Sequence, residues 1–253
     1  MSNSFYDEIR NRQSSIKLRS YNYALVAGVG GIGSWVALDL ALSGQVQNLY
    51  IIDPDSIECS NLNRTPFRIT DIGFPKVDAL KYLILERRSD VNVFTYRNKT
   101  TDFGIIESIK NQIKKTTSLI DFNSDNLTPN MLIVDCRDDI YEDLYEFNCK
   151  YYKVGYDGLS VTIDGNPRNT AVWGEANGYR FTPSFIAPSQ MIASLVVTDA
   201  LCIRYTPEPT EIDNVSNSNN FDVLGRLNCA FTFETQNIIH DLFSIEQRGN
   251  LKK

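Results

Sequence analysis

The chain contains only one histidine among its 253 residues, His240. Sites that need two or three imidazole groups are therefore excluded, and a Ser-His-Asp triad would depend on this single residue. The five cysteines are spread along the chain, and no two of them form a Cys-x-x-Cys pair. An odd number of separated cysteines argues against a disulfide framework and against a structural zinc ion.

Long apolar runs and an excess of positive charge are also absent. Every apolar run is much shorter than the roughly 18 residues that a transmembrane helix needs, so we expect no membrane segment. The N-terminal sequence MSNSFYDEIRNRQ is too polar and acidic for a secretory signal, which predicts a cytoplasmic protein. A net charge of −6 argues against binding nucleic acid through bulk electrostatic attraction.

The apolar residues that are present, 42% of the chain, suffice for the core of one large α/β domain. An apolar run at 23–27 leads into the sequence GVGGIG, and a second run at 49–52 ends at Asp53. Residues 34–42 are apolar on nearly every face, as expected of a helix buried against a sheet, and Gly44 follows them. This order predicts a βαβ unit with a glycine turn between its first strand and its helix.

The glycine turn is a candidate phosphate-binding site. Glycines let the backbone approach a phosphate closely, and the N-terminus of the following helix offers unpaired N–H groups. Asp53 lies about twenty residues beyond the last glycine, the spacing at which a carboxylate reaches a ribose hydroxyl. A strand-to-helix turn without a ligand is the alternative, but it does not explain why so many glycines are grouped there.

The residues that follow Asp53 favour a triphosphate over a nicotinamide cofactor. Asn61 can donate hydrogen bonds, and Arg64 and Lys76 can neutralise phosphate charge. Pro75 at a first helical position would place Lys76 in the first turn, where a cation gains nothing from the helix dipole. A ligand would explain a lysine there, whereas the alternative is a solvated surface lysine.

A further apolar strand is predicted at 131–135, and the sequence CRDD follows it. Carboxylates at the C-terminal edge of a parallel strand lie where such sheets bind ligands. One or two such groups commonly hold the Mg²⁺ of a bound triphosphate. For Asp139 we favour the other interpretation, an acidic helix N-cap.

Four segments together resemble the ThiF/MoeB/HesA group, whose fold is shared with ubiquitin-activating enzymes: GVGGIGSWVALDLALSG, DPDSIECSNLNR, GFPKVDAL and VDCRDD. The similarity covers roughly residues 8–205, and the Ser-Asn-Leu-x-Arg segment is highly specific. Members use ATP and magnesium to adenylate a carboxylate, usually the C-terminal glycine of a ubiquitin-like protein. The implied fold is α/β, a Rossmann-like and mostly parallel sheet flanked by helices, with an antiparallel C-terminal extension.

The resemblance also implies roles for individual residues. The nucleotide would be bound by ten of them: Gly28, Gly30, Gly31, Gly33, Asp53, Asp55, Asn61, Arg64, Lys76 and, through magnesium, Asp138. The glycines would line the phosphates, Asp53 would hold the ribose, and Arg64 and Lys76 would bind the triphosphate. Arg12 is similar to the arginine that reaches into the partner subunit's site in this family, which implies a homodimer in which it acts in trans.

The sequence departs from the family pattern at several positions. Thr65 stands where the family has glutamine, Asp139 replaces an asparagine, and the paired zinc cysteines of many members are missing. No cysteine aligns with a thioester cysteine: Cys202 lies in a predicted apolar helix, and Cys229 precedes a predicted strand at 230–233. We therefore expect adenylation of a ubiquitin-like protein, sulfur carrier or small peptide without an enzyme thioester.

Two other functions stay open from the sequence. One is an NAD(P)-dependent oxidoreductase, and the other is a non-catalytic scaffold half of a heterodimeric activating enzyme. A modified tRNA base is the substrate that the acidic charge favours least.

The expected organisation is a single ThiF-like adenylation domain over residues 1–253. Its predicted parts are a dimer-contact segment at 1–22, a nucleotide-binding half at 23–140, a substrate-tail and dimer half at 150–205, a linker at 206–220 and a C-terminal strand and helix at 221–253. Within these parts we expect a helix at 105–115, paired strands at 151–155 and 160–163, a loop over the substrate tail at 174–188, and a core helix that ends near Leu201. His240 is expected on the surface of a last helix at 235–247.

Overall fold

The computed structural model describes residues 11–14, 16, 18–117, 130–138, 144, 149–157, 160–164 and 184–202. The predicted linker at 206–220, strand at 230–233 and helix at 235–247 lie outside these residues. So do Asp139, Cys229, His240 and most of the loop at 174–188. Within the described part, no helix is long and apolar enough to cross a bilayer.

The described residues form one six-stranded sheet with the strand order β3-β2-β1-β4-β5-β6. The strands are β1 (Tyr21–Ala27), β2 (Val46–Ile52), β3 (Asn92–Tyr96), β4 (Met131–Asp135), β5 (Lys150–Asp157) and β6 (Ser160–Asp164). All neighbours pair in parallel except β5 and β6, which are antiparallel. The predicted fold class, a mostly parallel Rossmann-like sheet with an antiparallel extension, is confirmed.

In the part of the chain that the structure describes, four α-helices pack on the two faces of this sheet: α1 (Gly33–Ser43), α2 (Lys76–Leu85), α3 (Ile105–Thr117) and α4 (Ile186–Leu201). Residues of α1, α2 and α4 share one apolar core, and Ile109 and Ile113 of α3 belong to a second core. Because helices cover both faces, β1, β2 and β4 are buried along nearly their whole length and consist of almost continuous apolar sequence.

The ends of the first two helices are fixed by local backbone chemistry. Gly44 adopts the left-handed conformation with φ of 69° and ends α1 as predicted, and its N–H donates to the carbonyl of Ala41. Pro75 immediately precedes α2, so its predicted place as the first helical residue is wrong. It stays extended because it pairs with Ser56 in an antiparallel bridge, while the Lys76 N–H donates to the Asp55 carbonyl.

Strands β1 to β3 follow one another toward one edge of the sheet, and β4 to β6 follow one another toward the other edge. The strand order therefore reverses between β1 and β4, which is the point at which open α/β sheets bind ligands. Backbone hydrogen bonds hold the segments that leave the three central strands together at this edge. The Gly28 N–H donates to the carbonyl of Ile52 over 2.9 Å, and the Cys136 N–H donates to the carbonyl of Ala27 over 2.8 Å. Any groups that follow β1, β2 and β4 are thereby brought to one place.

Candidate functional site

A cleft lies at the C-terminal edge of the parallel strands and consists of two adjoining cavities of about 510 and 250 Å³. Their shared wall is formed by Gly30, Asp55, Lys76, Cys136, Arg137 and Asp138. The larger cavity continues to Asn61 and Arg64, and the smaller one continues to Asp53. Residues that are up to 110 positions apart in the sequence, from Gly28 to Asp138, therefore line one cleft.

The glycine turn is built from glycines with two different structural tasks. Gly28 has a φ of 82°, and a Cβ there would come within 3.0 Å of the Cys136 carbonyl carbon and oxygen. A Cβ on Gly33 would lie 1.8 Å from the Gly28 carbonyl oxygen, so the turn cannot close around a larger residue. Gly30 has open space where its Cβ would be, and Gly31 lines the larger cavity. These last two leave room for a ligand beside the backbone.

Asp53 follows β2 and connects the strand to the glycine turn. Its Oδ2 accepts the N–H of Val29 over 2.6 Å, and its Oδ1 accepts the N–H of Asp55 over 2.9 Å. Burial raises the pKa of Asp53, although Lys76 and the same two N–H groups act in the opposite direction. The carboxylate is thus oriented by the backbone on the wall of the smaller cavity.

Lys76, the first residue of α2, is only 8% exposed. Its Nζ donates to Asp55 Oδ2 over 2.8 Å and lies 3.9 Å from Asp53 Oδ1. The interpretation of Lys76 as a solvated surface lysine is therefore wrong. The loop before α2 folds back on itself through the bridge between Ser56 and Pro75, and this carries the lysine into the cleft.

Asn61 and Arg64 lie on the loop that contains the short 3-10 helix Cys59–Asn61. Asn61 is buried, and its Oδ1 accepts the N–H of Glu58 over 3.0 Å. Arg64 Nη1 donates to the carbonyl of Ser60 over 2.5 Å, so its guanidinium is held on this loop beside the larger cavity. The Thr65 hydroxyl donates to the Asn61 carbonyl over 2.8 Å. The threonine that replaces the family's glutamine thus stabilises the loop.

Asp138 is exposed and lines both cavities. Within the described part of the chain, no three His, Cys, Asp or Glu side chains are grouped as ligands for a metal ion. An exposed carboxylate on the cleft wall, such as that of Asp138, fits Mg²⁺ that takes its other ligands from phosphate oxygens and water, which is the usual arrangement for this ion.

Arg12 lies in the short 3-10 helix Asn11–Gln13, but its side chain lies outside the described part of the structure. Its predicted action on a partner subunit stays a prediction.

A buried cluster of charged side chains lies beside the cleft, and it was not predicted from the sequence. Asp135 ends β4 and is fully buried. Its Oδ1 accepts from Arg137 Nε over 2.8 Å and from Lys153 Nζ over 3.3 Å. Its Oδ2 accepts from Arg137 Nη2 over 2.7 Å and from the Tyr151 hydroxyl over 2.8 Å. Burial alone would raise the pKa of Asp135, but Arg137, Lys153 and Tyr151 outweigh it and hold the pKa below its usual value.

Three of the cysteines are poor nucleophiles in this structure. Burial raises the pKa of Cys136 and of Cys202, and it raises the pKa of Cys149 to about 12. Their thiols are therefore protonated at neutral pH, whereas the thiolate is the reactive form. Cys202 directly follows α4 instead of lying within it.

A parallel sheet with a glycine turn and an oriented carboxylate at its switch point defines a Rossmann-like nucleotide-binding domain. The ThiF family matches residues 7–149, which is more than half of the chain, and the protein belongs to this family.

The chain is also similar to individual proteins over shorter stretches. It is 43% identical over 86 residues to the NEDD8-activating enzyme E1 catalytic subunit of Arabidopsis thaliana, which covers 34% of this chain and 19% of that protein. It is 39% identical over 70 residues to tRNA threonylcarbamoyladenosine dehydratase 2 of Saccharomyces cerevisiae, which covers 27% and 15% respectively. The crystal structure of PaaA matches the fold with a TM-score of 0.53 and 20% identity, covering 79% of this chain and 65% of that one. Each match thus spans less than two thirds of the relative.

Proposed function

We propose that this protein is an ATP- and Mg²⁺-dependent adenylyltransferase that activates a carboxylate, the C-terminus of a ubiquitin-like protein or a short peptide. The order of groups along the cleft carries the proposal. Asp53, suited to a ribose, lines only the smaller cavity, Lys76 lines both cavities, and Arg64 lines only the larger one. A ribose followed by a chain of phosphates would meet these groups in that order.

The proposed reaction requires no protein nucleophile and no general base. An oxygen of the substrate carboxylate attacks the α-phosphorus in line, the bond to the bridging oxygen breaks, and pyrophosphate leaves with its electron pair. The carboxylate is already ionised at neutral pH. The protein contributes positioning and charge, with Lys76 and Arg64 stabilising the negative charge that develops on the leaving group.

Asp138 is the residue that we propose as the protein ligand of Mg²⁺. When bound between this carboxylate and the phosphates, the ion would neutralise charge on the phosphate oxygens. Asn61 is proposed as a hydrogen-bond donor to the same phosphates, and the glycine turn as the surface on which they lie.

We propose that the C-terminal tail of the protein or peptide substrate enters the cleft beside the start of α4. Ser184 precedes α4 and lines the larger cavity, and its carbonyl accepts a hydrogen bond from Asn63 Nδ2 over 2.9 Å. This bond ties the Arg64 loop to the chain that leads into α4. The similarity to a NEDD8-activating catalytic subunit supports a protein C-terminus as the substrate. We also propose that the chain acts as one domain and as a homodimer, with Arg12 completing the partner's site.

The test is ATP–pyrophosphate exchange in the presence of Mg²⁺, with peptides and ubiquitin-like proteins that end in glycine. The matched control is each peptide with an amidated C-terminus, which removes only the attacking carboxylate. We expect exchange with the acids and none with the amides. ATP binding without exchange for any carboxylate would favour the scaffold half of a heterodimer. Binding of NAD(P) in place of ATP would contradict the proposal.

A further inference from the structure

The cluster around Asp135 joins two cations to one buried carboxylate. Arg137 and Lys153 both donate hydrogen bonds to Asp135. Lys153 is 4% exposed, and its Nζ also donates to the Arg137 carbonyl over 2.5 Å. A buried charge is tolerated where it is paired and hydrogen-bonded, and these contacts hold Lys153 and Asp135 together.

Arg137 is the member of the cluster that reaches the cleft. It lines both cavities, whereas Asp135, Tyr151 and Lys153 line neither. Asp135 holds the guanidinium through two parallel hydrogen bonds, and Nη1 donates to the hydroxyl of Thr100. A bidentate pair of this kind fixes the guanidinium geometrically as well as electrostatically. Arg137 is therefore held in place before any ligand arrives.

The position of Arg137 along the cleft indicates which part of a nucleotide it would meet. The smaller cavity contains Asp53, and the larger cavity contains Asn61 and Arg64. Arg137 lies on the wall common to both, together with Lys76 and Asp138. Between a ribose on one side and terminal phosphates on the other lies the phosphate that is attached to the ribose.

We propose that Arg137 binds the phosphate group attached to the ribose, and that Asp135, Tyr151 and Lys153 position it. The inference rests on the proposed function, because it assumes that a nucleotide occupies the cleft. It adds a cation at the phosphorus that the carboxylate would attack, where negative charge increases in the transition state.

The test compares Arg137→Gln with the wild type in calorimetric binding of ATP, AMP, adenosine and pyrophosphate. The variant should bind ATP and AMP about 10- to 100-fold more weakly, as expected for the loss of a hydrogen bond to a charged group. Its affinities for adenosine and for pyrophosphate should be unchanged. Arg87→Gln is the matched control, because Arg87 is exposed and lines neither cavity.

The outcomes separate this inference from the proposed function. Unchanged ATP and AMP affinity in Arg137→Gln, with a wild type that binds ATP, would overturn the inference alone. An equal loss for adenosine would overturn it as well, because it would place Arg137 at the base or sugar. A wild type that binds no ATP would overturn the proposed function itself.

Lys153→Met provides a second test that leaves the Arg137–Asp135 pair in place. We expect weaker AMP binding by a few fold, unchanged adenosine binding, and recovery of AMP binding in Lys153→Arg. If Lys153→Met lowers the melting temperature while AMP binding stays at the wild-type level, the lysine serves only the fold and the positioning role is wrong.

Discussion

Lys76 is bound by one exposed carboxylate and faces a second, buried one: Nζ donates to Asp55 Oδ2 over 2.8 Å and lies 3.9 Å from Asp53 Oδ1. Asp55 is 63% exposed at its side chain, whereas Asp53 is 6% exposed. Asp55 can therefore turn to water, while the buried Lys76 ammonium keeps the carboxylate of Asp53 nearby as its counter-charge. A phosphate can replace Asp55 as the partner of the lysine while Asp53 keeps it oriented.

Replacing Lys76 with alanine should nearly abolish ATP–pyrophosphate exchange. Loss of a preorganised donor to the developing charge costs about 100- to 1,000-fold in rate. Lys81→Ala is the control, since Lys81 lies on the same helix but lines neither cavity. Exchange in Lys76→Ala that equals exchange in the Lys81 variant would remove Lys76 from the reaction.

Much of the fold was predictable because its central strands are covered on both faces. Continuous apolar runs at 23–27, 49–52 and 131–135 predicted β1, β2 and β4, and Gly44 predicted the end of α1. The helix at 105–115 and the paired strands β5 and β6 were also predicted correctly. β3 was missed because its sequence, NVFTY, lies at the sheet edge and is only partly buried, so no apolar run marks it.

Less of the candidate site could be predicted from the sequence, because its contacts join segments that are distant along the chain. The Asp135 cluster depends on the parallel register that places Asp135 beside Lys153. The sequence around either position does not show which residue is the partner. One signal was available: Lys153 lies between tyrosines and valine inside β5, and a buried lysine requires a carboxylate partner. The burial of Lys76 likewise depends on the bridge between Ser56 and Pro75, which joins residues of one loop.

Alanine substitutions at two glycines of the turn should have different effects, one on folding and the other on ligand binding. Gly33→Ala places a Cβ 1.8 Å from the Gly28 carbonyl oxygen, so we expect destabilisation of at least about 3 kcal/mol or no folded protein. Gly30→Ala meets nothing within 4 Å and should keep the wild-type melting temperature while weakening ATP binding. Thermal unfolding and calorimetry check both. Wild-type ATP affinity in a folded Gly30→Ala variant would show that the phosphates do not lie against Gly30.

Asp39 should make the stability of the domain depend on pH. Burial between α1 and α4 raises its pKa to about 6, although a hydrogen bond with Ser194 opposes the shift. The folded state therefore favours the neutral carboxyl group, and stability should fall as the pH rises from about 4 through about 6. After allowance for partial exposure, the loss is about 1 kcal/mol.

Asp39→Asn, which stays neutral, is the variant that tests this dependence. It should unfold at a higher temperature than the wild type at pH 7.5, and the two should coincide near pH 4. A difference in melting temperature that does not change between these pH values would contradict the assignment.

Asp138→Asn should reduce exchange by at least about tenfold and shift its Mg²⁺ dependence to higher concentrations, because it removes one charged ligand of the ion. The exposed position predicts an unchanged melting temperature. Glu107→Gln removes a carboxylate from the exposed face of α3 and serves as the control. An unaltered Mg²⁺ dependence in Asp138→Asn would mean that the ion is held elsewhere.

Mixing two inactive variants should restore activity if Arg12 acts on the partner's site. In a dimer of one Arg12→Ala subunit and one Lys76→Ala subunit, the site with intact Lys76 receives an intact Arg12 from its partner. That dimer should have about half of the wild-type exchange rate, since one of its two symmetric sites is complete. Separate affinity tags on the two subunits allow the mixed dimer to be isolated and assayed alone. If Arg12 acted within its own subunit, neither site would be complete, and the purified mixed dimer would be as inactive as its parents.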